Sequence, residues 1–148
     1  MDLTLDDRLL GSLGGMLGLT GAADALALAR ADRQGLGARL LRALTTDAPS
    51  AKPLLTAADV YRVVPRRTWI RRKSAGTLTS AEFDGLYRLV RLQMLANLVF
   101  HDTQRAHDWL HSPKVRLDGA TPMDFGADSL GFDAVQAWLH EIDQGYFA

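Results

Sequence analysis

The stretch TSAEFDGLYRLVRLQMLANLVF, residues 79–100, decides the fold of this chain. Thr79 and Glu82 have the spacing of a capping box, in which each side chain accepts a hydrogen bond from the other residue's backbone N–H. Large apolar residues follow at helical spacing on more than one side: Phe83, Leu86, Tyr87, Leu89, Val90, Met94, Leu95, Leu98 and Val99. The stretch predicts a helix roughly 33 Å long that packs against both halves of the chain or against a second copy.

Short helical segments flank this stretch on both sides. Each is marked by local signals such as a Thr or Asp cap, a proline in the first turn or a glycine at the end. The segments are predicted at about 22–33, 38–44 (after a turn at Gly35-Leu36-Gly37), 56–63, 65–76, 102–112, 121–124 and 131–144. No stretch alternates apolar and polar residues as a strand does, so the predicted fold is all-α.

Residues 1–21 have glycines at positions 11, 14, 15, 18 and 21, which predicts a flexible arm. The 148 residues are 47% hydrophobic and 23% charged with no net charge, a composition typical of a globular protein. The first residues lack the basic start and apolar core of a signal peptide, and no apolar run has the length of a membrane span. We therefore expect a cytoplasmic protein. The absence of cysteine excludes disulfides and thiolate zinc sites.

Six of the 17 basic residues lie between positions 62 and 73. The two predicted helices around Pro65 form a helix–turn–helix candidate, whose second helix would read base edges while flanking basic residues neutralise phosphates. The predicted DNA contacts are Arg66, Arg67, Thr68, Arg71, Arg72 and Lys73, whereas Trp69 and Ile70 are expected to face the core. The alternatives are a solvated basic face or a cluster that binds an acidic partner.

Motifs for metal, cofactor or catalytic chemistry are incomplete. His107 and His111 have the spacing of a zinc-binding helix, but Pro113 ends that helix early and no third ligand is placed, so no metal is expected. Gly35-Leu36-Gly37 lacks the third glycine and the preceding strand of a dinucleotide loop, so no cofactor is expected. No nucleophile–base–acid arrangement has a local signature. The chain is expected not to be an enzyme.

The second half of the chain carries a longer pattern, in AHDWLHSPKVRLDGATPMDF (106–125) and GFDAVQAWLHEIDQGYFA (131–148). It resembles the toxin-binding domain of Xre/MbcA/ParS antitoxins. The pattern of that domain is A-x-x-W-L, then Pro, then L-x-G-x-T-P, and finally G-x-x-x-V-x-x-x-L-x-x-I-x-x-G. The matching residues are Ala106, Trp109, Leu110, Pro113, Leu117, Gly119, Thr121, Pro122, Gly131, Val135, Leu139, Ile142 and Gly145. Upstream, PRRTWIRRKSAGTLTSAEF (65–83) is similar to part of the family's Xre-like helix–turn–helix domain, from which Trp69, Phe83 and Gly85 depart.

This resemblance implies a domain order and a partner. A flexible arm (1–21) would precede an Xre-like helix–turn–helix domain with the long connecting helix (22–100) and a toxin-binding domain (101–148). The implied partner is a RES-domain toxin, which attacks or uses NAD and whose NAD pocket the antitoxin covers. The residues expected to contact the toxin are Trp109, Leu117, Gly119, Thr121, Pro122, Gly145, Tyr146, Phe147 and Ala148. Tyr146 and Phe147 would be interface anchors; the alternative is that they fold back on the chain's own core.

Three functions are compatible with these patterns. The first is an antitoxin that inhibits by occlusion and represses its own operon as a homodimer. The second is a helix–turn–helix transcriptional regulator whose C-terminal domain only dimerises. The third is an adaptor with a degenerate DNA-binding half. A RES-domain protein encoded by the neighbouring gene would favour the first.

Overall fold

The computed structural model describes residues 3–18, 33–45 and 53–145, and the regular structure within these ranges is helical. The α-helices are α1 (Leu5–Met16), α2 (Arg33–Thr45), α3 (Ala57–Tyr61), α4 (Arg66–Ala75), α5 (Ser80–Phe100), α6 (Thr103–Leu110), α7 (Pro122–Phe125) and α8 (Ser129–Asp143), and a short 3-10 helix covers Val115–Leu117. The prediction of an all-α fold is confirmed. The helix predicted at 22–33 lies outside the described residues, apart from its last position.

The chain divides into two compact units, residues 1–87 and 88–148. The division falls inside α5, whereas the sequence analysis placed it after that helix, between residues 100 and 101. The second part of α5 has partners within its own unit. Arg91 lies over the ring of Phe132, 5.3 Å from its centroid, and its Nη2 donates to Gln136 Oε1 at 3.3 Å. These contacts join the second part of α5 to α8 within residues 88–148.

The flexible arm predicted at the N-terminus is wrong for residues 5–16, which form α1. Thr4 and Asp7 form a capping box, in which each side chain accepts from the other's backbone N–H at 3.1 Å. The hydrogen bond from the Thr4 hydroxyl and then that from its backbone lower the pKa of Asp7. Leucines at every fourth position are buried: Leu5, Leu9, Leu13 and Leu17. The burial of this stripe outweighs the low helix propensity of the glycines.

The turn predicted at Gly35-Leu36-Gly37 is also wrong, because α2 begins at Arg33 and includes both glycines. A side chain from this helix reaches the end of α1. Arg39 Nη1 donates to the carbonyl oxygens of Leu17 and Gly18 at 3.0 and 2.9 Å. The guanidinium thus satisfies carbonyls that the end of a helix leaves without intrahelical donors.

The two helices predicted around Pro65 are α3 and α4. Thr56 caps α3 by accepting from the N–H of Asp59 at 3.2 Å, and the buried Asp59 carboxylate pairs with Arg62 Nε at 3.1 Å. α4 ends at Gly76, whose φ of +74° is the left-handed conformation that glycine adopts at helix ends. These local signals are the ones on which the sequence prediction relied.

α5 has the capping box and the apolar sides that the sequence predicts. The N–H of Thr79 donates to Glu82 Oε1 at 2.9 Å, and the N–H of Glu82 donates to Thr79 Oγ1 at 3.2 Å. A Cβ atom on Gly85 would lie 2.5 Å from Val63 Cγ1, so the missing side chain lets the turn after α3 approach α5 closely. Among the described residues, no helix, α5 included, is long and apolar enough to span a membrane.

Short helices within residues 88–148 are each started by a side-chain cap. Asp102 accepts from the N–H groups of Gln104 and Arg105, at 2.8 and 3.1 Å, and begins α6. Thr121 and Asp124 form a capping box at α7, and Asp128 caps α8. The buried apolar residues of these segments are Ala106, Trp109, Leu110, Leu117, Met123, Phe132, Val135, Trp138 and Leu139. Residues far apart in sequence therefore form one small core.

Two glycine substitutions, one in each unit, should change the free energy of unfolding in opposite directions. A Cβ atom on Gly131 would overlap the backbone carbonyl of Phe125, so Gly131→Ala should lower the free energy of unfolding by about 1–3 kcal/mol, the usual range for overpacking. Gly11 lies in α1 with open space around it, so Gly11→Ala should raise the same free energy by about 0.4–1 kcal/mol. Urea unfolding followed by circular dichroism measures both. Equal effects of the two substitutions would contradict the close contact at Gly131.

Candidate functional site

One candidate surface is the outer side of α4, which we call the basic face. Its members are exposed: Arg66, Arg67, Ile70, Arg71, Lys73 and Ser74. With about 100° of rotation per residue, these positions share one arc of the helix, and Ile70 and Ser74 lie at its centre. The arc has two basic edges, Arg66 with Lys73 and Arg67 with Arg71. The sequence-predicted DNA contacts Arg66, Arg67, Arg71 and Lys73 thus lie together.

The opposite side of α4 holds the helix against its own unit. Trp69 is buried, as predicted, whereas the prediction that Ile70 faces the core is wrong, because 52% of its surface is exposed. Thr68 is half-buried. Arg72 Nε donates to Glu82 Oε1 at 2.8 Å, so this predicted DNA contact is engaged in an ion pair with the start of α5.

The ion pair of Arg72 and Glu82 depends on pH. Partial burial raises the pKa of Glu82, but the hydrogen bond from the Thr79 backbone and the hydrogen bond and charge of Arg72 lower it more, so the pKa lies below its usual value. A carboxylate with a lowered pKa in the folded state stabilises the fold above its unfolded-state pKa. That contribution is lost as the pH falls through the lowered pKa. The pair is therefore intact at neutral pH.

A second candidate surface surrounds two tryptophans of the 88–148 unit. The rings of Trp109 and Trp138 meet edge to face, with centroids 4.9 Å apart. Lys114 Nζ lies 5.0 Å from the ring centroid of Trp109, and partial burial lowers the pKa of Lys114. Arg116 Cζ lies 4.6 Å from the ring centroid of Trp138, and Arg116 also pairs with Glu141 at 3.1 Å. Two cations of one short segment are thus held on the faces of two rings.

Residues 114–119, which we call the Lys114–Gly119 loop, present one apolar side chain to solvent. The Lys114 N–H donates to the carbonyl of Ala120 at 3.0 Å, and the Gly119 N–H donates back to the carbonyl of Lys114 at 2.9 Å. Asp118 and Gly119 have φ values of +54° and +87°, which the turn requires. Val115 is 97% exposed at the start of the 3-10 helix. The loop is closed by backbone hydrogen bonds and carries Val115 outward.

The predicted toxin contacts have different surroundings in the structure. Trp109, Leu117 and Pro122 are buried, and Thr121 is the cap of α7. Gly119 and Gly145 are exposed and have positive φ values, +87° and +102°. Tyr146, Phe147 and Ala148 lie outside the described residues.

Sequence reasoning missed two exposed apolar residues on these surfaces, Val115 and Ile70. Val115 is not part of any helical spacing of apolar residues. Its position between two basic residues in a loop was the signal that could have indicated its exposure. Ile70 directly follows Trp69, and the two side chains point about 100° apart around α4. In a short helix with basic residues on most of its other positions, this difference could have indicated that one of the two faces outward.

The histidine pair on α6 has an arrangement of its own. The rings of His107 and His111 stack with centroids 4.0 Å apart, and His111 Nδ1 lies 2.7 Å from the carbonyl oxygen of His107. Within the ranges that the structure describes, no group of three or more His, Asp or Glu side chains is placed to hold a metal ion. The two rings thus stack on one side of a short helix.

Comparison with known proteins gives two matches. Residues 95–145 match the Antitoxin Xre/MbcA/ParS C-terminal toxin-binding domain. The protein named Antitoxin Xre from Pseudomonas putida strain KT2440 is 33% identical to this chain over 94 residues. Those residues are 63% of this chain and 59% of the length of that relative. The resemblance to the Xre/MbcA/ParS antitoxins is therefore confirmed, and it includes residues 95–145, which match the C-terminal toxin-binding domain of that family.

Proposed function

We propose that this chain neutralises a partner toxin by binding it through residues 95–145. The observation that carries the proposal is the match of this segment to a domain described as toxin-binding. The family resemblance suggests a RES-domain toxin as the partner and its NAD pocket as the place that is covered. Inhibition of this kind depends on complementary surfaces and needs no catalytic group or cofactor in this chain.

The Lys114–Gly119 loop suits such an interface better than the buried tryptophans do. An exposed apolar side chain on a rigid loop loses little conformational freedom when a partner covers it. Val115 has this property, because the loop is closed by backbone bonds and its neighbours Lys114 and Arg116 rest on tryptophan rings. The two cations beside Val115 favour a partner pocket with an acidic rim. We propose Val115 as an anchor, with Trp109 and Trp138 as its support.

The residues that follow α8 are proposed as a second contact. Gly145 is exposed and turns the chain with a φ of +102°. The next residues are Tyr146 and Phe147, and large aromatics are enriched among the residues that dominate interface energies. We assign them to the contact with the toxin pocket.

Substitution of Val115 tests the first contact. Val115→Asp removes the apolar anchor and places a carboxylate where an acidic rim is proposed, so toxin binding should weaken at least about tenfold, or ~1.4 kcal/mol. Co-expression with the protein of the neighbouring gene, size-exclusion chromatography and titration calorimetry measure the effect. Ile70→Asp is the matched control, because Ile70 is exposed but lies outside residues 95–145. Failure of the unaltered chain to co-elute with that protein would contradict the proposed function.

The double substitution Tyr146→Ala and Phe147→Ala tests the second contact. If these aromatics anchor the toxin, their loss should reduce the binding free energy by at least about 2 kcal/mol, the usual threshold for a dominant interface residue. Cells that express the toxin should then no longer be rescued. The melting temperature should stay the same, since the apolar stripe of α8 is intact. An early-melting variant would instead show that the aromatics belong to the chain's own core.

A second function is favoured by the basic face of α4. Four basic residues line two edges of one exposed arc, as expected of a helix that lies between the phosphate backbones of a DNA groove. We propose that the chain binds operator DNA through this face and represses its own operon as a homodimer. Arg72 is not part of this contact in our proposal, because it pairs with Glu82.

Arginine substitutions separate the DNA contact from the structural ion pair. Arg67→Ala with Arg71→Ala should reduce the slope of log affinity against log salt by about two units for each bound protomer, one for each lost phosphate contact, and so by about four units for a homodimer. Arg72→Ala should leave the slope unchanged and lower the melting temperature, because it breaks the pair with Glu82. Fluorescence anisotropy on DNA from the promoter of the chain's own gene measures the slopes. If only Arg72→Ala flattened the slope, the DNA contact would lie on the opposite side of α4, and the proposed role of the basic face would be wrong.

A further inference from the structure

Ile70 is a large apolar side chain in the middle of a basic surface. It is 52% exposed on α4, although the neighbouring Trp69 is buried. At about 100° per residue, Ile70 lies between the edge of Arg66 and Lys73 and the edge of Arg67 and Arg71. A face that served only to attract phosphate would need no apolar residue at its centre.

The position of Ile70 within the face fits a particular chemical group. When a helix lies in the major groove, its central side chains meet base edges and its outer side chains meet the phosphates. The base edges of that groove present hydrogen-bonding atoms and a single type of apolar group, the C5-methyl of thymine. An isoleucine cannot bond to the polar atoms and would desolvate them.

We propose that Ile70 contacts the C5-methyl group of a thymine and so contributes sequence specificity to the basic face. This inference rests on the proposed DNA binding by α4. Arg66, Arg67, Arg71 and Lys73 supply the attraction to phosphate, which is independent of sequence. Ile70 then favours thymine over the other three bases at one position of each bound site.

The test removes the methyl group from the DNA and the apolar group from the protein separately. The probe is a duplex that the unaltered protein selects from a random-sequence pool. Each thymine is replaced in turn by deoxyuridine, which lacks only the C5-methyl. At one position per site the affinity should fall about fourfold, the change expected from ~0.8 kcal/mol for one buried methyl-sized group. Ile70→Ala should bind the thymine and uracil duplexes equally, with an unchanged melting temperature.

Leu130→Ala is the matched control, since Leu130 is 82% exposed and lies in the other unit. This variant should distinguish thymine from uracil as the unaltered protein does. Suppose that no replacement of thymine by deoxyuridine lowers the affinity, while Arg67→Ala with Arg71→Ala still flattens the salt dependence. The proposed role of Ile70 is then wrong, and the proposal of DNA binding stands. If Ile70→Ala remains sensitive to the methyl group, or loses affinity for both duplexes alike, the role is also wrong. Failure to select any duplex would overturn the DNA proposal and this inference together.

Discussion

The Oε1 atom of Glu82 accepts two hydrogen bonds on which the first unit depends. One comes from the backbone N–H of Thr79 and starts α5; the other comes from the side chain of Arg72 and fixes α4 at that start. Because Trp69 is also buried on the inner side of α4, rotation of this helix would break the ion pair of Arg72 with Glu82 and expose the tryptophan. The arc that remains outside is the basic face. The Glu82 carboxylate and the buried Trp69 therefore together determine which arginines of the run are exposed.

The two candidate surfaces combine the same residue types in different ways. On α4 an isoleucine lies between basic side chains that extend from an exposed arc. In the Lys114–Gly119 loop a valine lies between two cations that rest on tryptophan rings. Cations held on rings have part of their charge satisfied within the protein. This difference agrees with our two proposals, in which α4 binds DNA and the loop binds a pocket in another protein.

Local interactions explain how much of the fold and of the site could be predicted. The caps at Thr79, Asp102 and Thr121 join residues two or three positions apart, so the sequence alone indicates them. α1 was missed because local glycine content argued against a helix that tertiary burial of leucines stabilises. Ile70 and Val115 point outward because nearby residues, Trp69 and Leu117, are buried in the core instead. That choice is made by contacts distant in sequence, such as that of Arg72 with Glu82.

The glycines of α1 also have a consequence for the dynamics of the chain. A twelve-residue helix that contains Gly11, Gly14 and Gly15 has too little intrinsic helicity to persist alone in water. Its leucine stripe holds it only while that stripe is buried against the rest of its unit. Detachment of α1 and loss of its helical structure are therefore one event. Its backbone amides should exchange with solvent together, through one shared opening reaction, and not gradually from the ends.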